Sequence, residues 1–180
     1  GGEWRRAILG LSSTLRLGDS RLAEVLSPPR QTLSIAGNNV ERGAYSLPTV
    51  RRWDEPSNFN QLEAQIYWDS YTVVYATMAQ EGSLVLQSYQ PATPPPPYFG
   101  PLPGLSSLLA ENPQLNSGAV STKVLTQKVE EFRVELDSET SVMTLTLRLA
   151  QRGGKKTGGR TLDERSEATA SIRLQNSGPK

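Results

Sequence analysis

Three stretches in the C-terminal half of the chain alternate apolar and polar residues in strict period two. From Val129 the run places Phe132, Val134 and Leu136 on one face, and from Ser141 it places Met143, Leu145, Leu147 and Leu149 together. From Glu167, Ala168, Ala170, Ile172 and Leu174 alternate with Thr169, Ser171 and Arg173. Successive strand side chains point to opposite sheet faces, so each run has one buried and one solvated side. A one-faced antiparallel sheet needs an apolar cover. The strongest helical pattern lies at the N-terminus, where Trp4, Ile8, Leu11, Leu15, Leu22 and Val25 recur at three- and four-residue steps, with Gly18 in the missing stripe position. Pro28-Pro29 ends that pattern, because proline cannot donate the next ladder bond. The expected class is therefore α+β, an amphipathic N-terminal helix over residues 1–27 packed on an antiparallel sheet. Ile8, Leu11, Leu15, Leu22 and Val25 are the expected helix-to-sheet packing residues.

Between helix and sheet, residues 28–70 read as a variable connection, with turn signals at Asn38-Asn39, Pro48 and Asp54-Glu55-Pro56 and a short strand at Ile66-Tyr67-Trp68. The sheet region is expected over 71–176. Tyr71–Met78 and Ser83–Tyr89 read as a hairpin, and Lys123–Asp137 and Ser141–Gln151 as a second hairpin turning at Ser138-Glu139-Thr140. Residues 167–175 form the last expected strand, with 177–180 as a tail. The Pro-rich insertion 91–104 cannot join a ladder and is expected as surface polyproline II. Residues 152–160 hold Arg152, Lys155, Lys156 and Arg160 among glycines with no acidic residue, which predicts a flexible basic loop.

Composition removes several classes of function. The chain has 180 residues, enough for one domain with a real core, yet only 36% are apolar. Lys and Arg number 19 against 18 for Asp and Glu, so no global field attracts nucleic acid. There is no cysteine and no histidine. Absence of histidine removes the commonest general base near neutral pH, the Ser-His-Asp and Cys-His nucleophile systems, and the usual zinc sites. The reading is a non-enzymatic protein with no cofactor, no metal and no small-molecule substrate. No stretch reaches the roughly 20 apolar residues of a membrane span. Gly1-Gly2 reads as a remnant ahead of the native sequence, and the helix as one entered midway.

The order of helix, polar connection and antiparallel sheet resembles the globular domain of type IV pilin-like proteins. The closer similarity is to PilW-type minor pilins and J-type pseudopilins of type II secretion. It is carried by Val73-Val74-Tyr75 with Gly82-Ser83-Leu84-Val85, by Val124-Leu125 with Val129-Glu130-Glu131-Phe132-Arg133-Val134, by Leu145-Thr146-Leu147, and by Ile172-Arg173-Leu174-Gln175-Asn176. These stretches span residues 70 to 176. The chain departs from the family in lacking a leader, an apolar helix start with its acidic fifth residue, and a cysteine pair; a boundary before Trp4 would account for the first two.

The resemblance implies a subunit of a bacterial cell-envelope filament, periplasmic or extracellular and held in the inner membrane by a missing N-terminal helix. Its partners would be other minor and major pilins or pseudopilins, and its task to initiate or cap assembly. A J-type pseudopilin is the alternative within that class, and an extracytoplasmic ligand-binding module with a closed apolar cavity is the alternative outside it. Trp4, Arg5 and Arg6 are candidate subunit contacts, since Trp and Arg are enriched at interface anchors; a frayed, exposed chain end is the bland reading. Tyr98 and Phe99 form a candidate exposed tip, within a Pro-Pro-Pro-Tyr run that otherwise serves as a rigid spacer. Arg152, Lys155, Lys156 and Arg160 are candidate anion contacts, with nucleic acid a weakly supported partner against a plain solvated connection. Asp137, Glu139, Asp163 and Glu164 are oxygen donors whose spacing matches no calcium loop.

Overall fold

The computed structural model describes residues 11, 23–26, 32–50, 59–60, 65–66, 68–92, 96–98, 100–157 and 160–174. Strands dominate: they make up 62% of the structure, and among the described residues there is no helix of seven or more residues. The α+β expectation is thus overturned in favour of a curled antiparallel half-barrel. In chain order the strands are β1 (Glu24–Val25), β2 (Thr32–Ile35), β3 (Asn38–Glu41), β4 (Ala44–Thr49), β5 (Phe59–Asn60), β6 (Gln65–Ile66), β7 (Ser70–Ala76), β8 (Gly82–Tyr89), β9 (Ala119–Asp137), β10 (Val142–Thr157) and β11 (Arg160–Arg173). Seven of them form one sheet in the order β1-β4-β7-β8-β9-β10-β11. Val25, expected on the helix stripe, instead pairs with Tyr45 as part of β1.

The connection expected over 28–70 contains five of the strands, β2 to β6. β2 and β3 form a hairpin whose turn is Ala36-Gly37, with φ of 50° and 80°. Two consecutive positive-φ residues are what a two-residue hairpin turn of the right twist demands, and glycine supplies one of them freely. Asn38-Asn39, expected as the turn, lies in β3. Pro48 sits inside β4 opposite Tyr71. It is tolerated because β1 covers only Tyr45 and Ser46, and no described strand pairs with that second edge of β4 at Pro48, where the missing N–H would have pointed.

β9 gives the sheet its curl. Its first part pairs with β8 and its second with β10, and the register shifts beside Leu84, Ser88 and Arg148 mark β-bulges along it. Bulges bend a strand and increase its twist. At Arg148 the extra residue is Glu130, since Arg148 pairs with Glu131 and Leu149 with Val129. Lys128, just before, has φ of 59°. Beyond this bend β9 swings back onto the start of β4, where Gly43 N–H donates to Phe132 O at 2.7 Å. A Cβ at Gly43 would stand 3.0 Å from that carbonyl, so the approach suits glycine.

Both sheet faces are covered. The inner face carries Tyr45, Leu47, Val74, Leu84, Phe132, Met143, Leu145, Leu147, Leu149, Ile172 and Leu174, joined by Leu11. The inward residues expected from the period-two runs of β9 to β11 are thus the core, with Val134 and Leu136 partly buried beside them. Tyr45 and Phe132 meet edge-on, 6.5 Å between ring centres. The outer face carries Val73, Tyr75, Val85, Tyr89, Trp68 and Tyr71 beneath Tyr98, Leu102, Leu105 and Leu109. Within the Pro-rich segment Pro96, Pro97, Pro101 and Pro103 are exposed, as a surface segment requires, while Tyr98 and Leu102 are buried on the outer face. Tyr98 N–H donates to Trp68 O at 2.7 Å, and a 3-10 turn at Leu105–Ser107 presses Leu105 onto the sheet.

Candidate functional site

The features outside the two cores collect at the seam where β9 meets the β3–β4 corner. Arg42 sits there with no solvent exposure. Its Nε donates to Glu130 O at 2.8 Å, its Nη1 to Thr77 O at 2.6 Å and Ala79 O at 2.9 Å, and its Nη2 to Gln80 O at 3.1 Å. One guanidinium thus ties β9 to the β7–β8 turn through four carbonyls. Burial lowers the Arg42 pKa, with Glu111 and Glu130 opposing that shift through their charges. Glu111 grips the same turn from its other side, its carboxylate accepting from Met78 N–H at 2.5 Å and Ala79 N–H at 2.9 Å. Gly82 closes the turn because a Cβ there would overlap the Arg42 guanidinium.

Beside Arg42, the bulge turns both members of the Glu130-Glu131 pair into buried positions, 4% and 5% exposed. Glu131 accepts from Glu41 N–H at 3.3 Å and from Arg133 Nη2 at 3.2 Å, with Arg148 Nη2 3.8 Å away. Arg148 Nε lies 3.4 Å from Glu130 Oε1 without hydrogen-bond geometry, so that pair is held by charge alone. Arg133 also bonds Glu41 at 3.0 Å. Next to this cluster a solvent-open groove of about 360 Å³ runs between β1 and β9, lined by Val25, Leu26, Val134 and Leu136 with Glu41, Arg133 and Glu135 along its rim. Arg148 faces both glutamates and Arg133 faces Glu131, while Arg42 spends its donors on carbonyls, so the cluster ties β9 to the β3–β4 corner.

A second polar network locks the strap over the outer face. Asn116 Nδ2 donates to Tyr75 Oη at 3.0 Å and to Gln87 Oε1 at 2.7 Å, and its Oδ1 accepts from Ala110 N–H at 2.9 Å. Tyr89 Oη donates to Gln87 Oε1 at 2.7 Å, while Gln87 Nε2 reaches Pro113 O and Thr122 Oγ1. Tyr75 Oη in turn donates to Ala110 O at 2.9 Å.

The residues singled out from sequence are dispersed. Leu11 is helical and fully buried against the inner face. Val25 is half-buried in β1 and lines the groove. Trp4, Arg5, Arg6, Ile8, Leu15, Leu22 and Phe99 lie outside the described residues. Tyr98, expected at an exposed tip, is 2% exposed, stacks on Tyr71 at 4.8 Å and donates its hydroxyl to Pro91 O at 2.6 Å. Arg152, Lys155, Lys156 and Arg160, expected in a flexible loop, belong by backbone to β10 and β11; their side chains lie outside the description. Asp137 is a turn residue: its carboxylate accepts from Glu139 and Thr140 N–H, which holds its pKa below the usual range. Among the described residues no group of three or more acids, histidines or cysteines is placed to hold a metal. The Arg42 and Glu130-Glu131 cluster was missed; its signal was the doubled acid that breaks the alternation of β9. Comparison with known proteins finds no matching family model, no matching curated protein and no matching solved structure.

Proposed function

We propose that this chain is a non-catalytic subunit of a pilin-type filament, a minor pilin that initiates or caps assembly through protein-protein contacts. A filament subunit of this kind needs a segment ahead of the sheet to be seated firmly on the domain, because that segment transmits every contact from the filament to the globular part. The observation that carries the reading is Leu11, which stands ahead of β1 and is fully buried as part of the inner-face core. The family-like stretches support it further, since Val73–Tyr75, Gly82–Val85, Val129–Val134, Leu145–Leu147 and Ile172-Arg173 fall on neighbouring sheet strands. Function in such a subunit lies in surface and seam. Arg42 and the Glu130-Glu131 cluster keep the half-barrel closed under load, and no bond-breaking step is asked of them.

Deletion of the gene in its native cell tests the proposal. Loss of surface filaments, restored by the intact gene, is the expected result. Intact filaments with blocked protein secretion would assign the chain to type II secretion as a J-type pseudopilin. Unchanged filaments and unchanged secretion would reject both.

A further inference from the structure

The groove between β1 and β9 is bordered by two strand edges that no described strand pairs with. β1 pairs with β4 alone, and β9 over Val134–Leu136 pairs with β10 alone. The β9–β10 ladder is regular from Phe132 to Asp137, its shift lying between Arg148 and Leu149. Phe132 O accepts from Gly43 N–H on the side away from β10. Backbone groups two residues apart on a strand point the same way, so the N–H and C=O of Val134 and Leu136 face the groove. Across it, Leu26 N–H is spent on Ala44 O, which turns the backbone groups of Val25 toward the groove. The side chains divide in the same manner. Val25, Val134 and Leu136 pack partly buried against the inner core, whereas Glu24 and Glu135 alternate onto the opposite face. Glu135 is exposed and has no cation partner among the described residues. Arg133, the base on the rim, is already shared by Glu41 at 3.0 Å and Glu131 at 3.2 Å. Burial is what raises the Glu24 pKa, the shift of an acid without a cation beside it. The rim thus carries acid in surplus.

We infer that this groove accepts an extended basic segment of a partner protein, which adds to the edge of β9 at Val134–Leu136 as a further strand. Alternate side chains of such a segment point to opposite faces. Its apolar residues enter toward Val25, Val134 and Leu136, and its Lys or Arg residues stand outward toward Glu24 and Glu135. The charge of the rim selects the sign: an acidic segment would face like charges, and a neutral one would leave the surplus carboxylates without a cation. The open strand edges select a peptide over a small amine, because alternating N–H and C=O groups are matched in sequence by another backbone. The inference stands apart from the filament reading and does not require it.

The test uses the whole chain and, as probe, a fluorescent octapeptide of alternating lysine and valine. Anisotropy is expected to show saturable binding. Amide spectra of the isotope-labelled protein should show the signals of Val25, Val134 and Leu136 moving, with hydrogen exchange at Val134 and Leu136 slowed. The same peptide methylated on alternate backbone nitrogens keeps its charge but loses the donors to β9, and should bind about tenfold more weakly. An octapeptide of alternating glutamate and valine should not bind. Glu135→Lys, at an exposed position, should weaken binding about fivefold, whereas Glu139→Lys in the exposed turn beyond β9 should change it by less than about twofold. The methylated peptide tests the backbone pairing without altering the protein, so the result does not hang on how a variant folds. No saturable binding of the lysine–valine peptide would overturn the inference, as would equal binding of its methylated form or signal changes confined to residues away from the groove. If spermine moves the same amides as strongly as the peptide does, the groove recognises an amine alone and the strand reading falls.

Discussion

Replacing Arg42 by methionine is the sharpest probe of how the half-barrel holds its shape. The substitution keeps most of the side-chain volume but removes the donors to Glu130 O, Thr77 O, Ala79 O and Gln80 O. The carbonyls of Ala79 and Gln80 belong to exposed residues and can turn to water. Those of Glu130 and Thr77 belong to residues 4% exposed and are left without their Arg42 donors. Each buried acceptor stripped of its donor costs about 1–3 kcal/mol, so two give a loss of about 2–6 kcal/mol. Recovery of the desolvation that the guanidinium suffers pulls the net toward about 3 kcal/mol. With a urea slope of about 2 kcal/mol per molar, that lowers the unfolding midpoint by roughly 1.5 M. The midpoint of thermal unfolding should fall by about 6–12 °C for a chain of this size. Glu111→Ala, which frees only the Met78 and Ala79 amides at an exposed turn, should cost about 1 kcal/mol. Equilibrium urea unfolding followed by tryptophan fluorescence measures both. If Arg42→Met unfolds within about 0.3 M of the parent, Arg42 is not the clasp between β9 and the β7–β8 turn.

Other substitutions separate satisfied from unsatisfied buried groups. Asn116→Ala breaks three hydrogen bonds at the strap and should destabilise by about 2–4 kcal/mol, clearly more than Tyr75→Phe, when both are measured by urea unfolding. The Tyr45 hydroxyl is fully buried with no hydrogen-bond partner. Tyr45→Phe should therefore leave stability unchanged or raise it by about 1 kcal/mol, and a loss beyond about 1 kcal/mol would show that the hydroxyl is satisfied. Burial raises the phenol pKa of Tyr71 to about 12, with Tyr98 adding to the shift, and also raises those of Tyr45, Tyr89 and Tyr98. A folded pKa above the unfolded value of about 10 favours the folded state fully below pH 10, and that contribution is lost as pH rises toward and through about 12. Absorbance at the tyrosinate band should thus lag an unfolded control above pH 10 and rise together with alkaline unfolding; a titration matching the control would contradict the burial of these rings.

Sequence periodicity located the parts of the fold that are buried on one face. Met143, Leu145, Leu147 and Leu149 alternate because β10 has one wet side, and all four are core residues. The hairpin β9–β10 followed for the same reason. The central strand pair was harder. Every residue of β7 is buried, so Ser70 to Ala76 carries no alternation and only its β-branched and aromatic content marks it. β4 hid behind Pro48, whose cost vanishes because no described strand pairs with that side of β4 at Pro48. Proline content argued against a ladder but gave no sign that Tyr98 and Leu102 would be buried. Tyr98, Leu102, Leu105 and Leu109 cover the outer face without joining any strand longer than the single bridge of Tyr98 to Trp68. The helical spacing that ran on to Val25 was overridden by pairing with β4. At the seam, Arg42 gave no local signal, since its acceptors are backbone carbonyls from as far as 88 residues away.

The central claim is that the segment ahead of β1 seats the domain in a filament, and the sequence encoded immediately before Trp4 in the native gene tests it most directly. A short basic leader followed by about 20 apolar residues with a glutamate near their start is the predicted result. An ordinary secretion or lipoprotein signal at that position would contradict the account and favour an extracytoplasmic binding module.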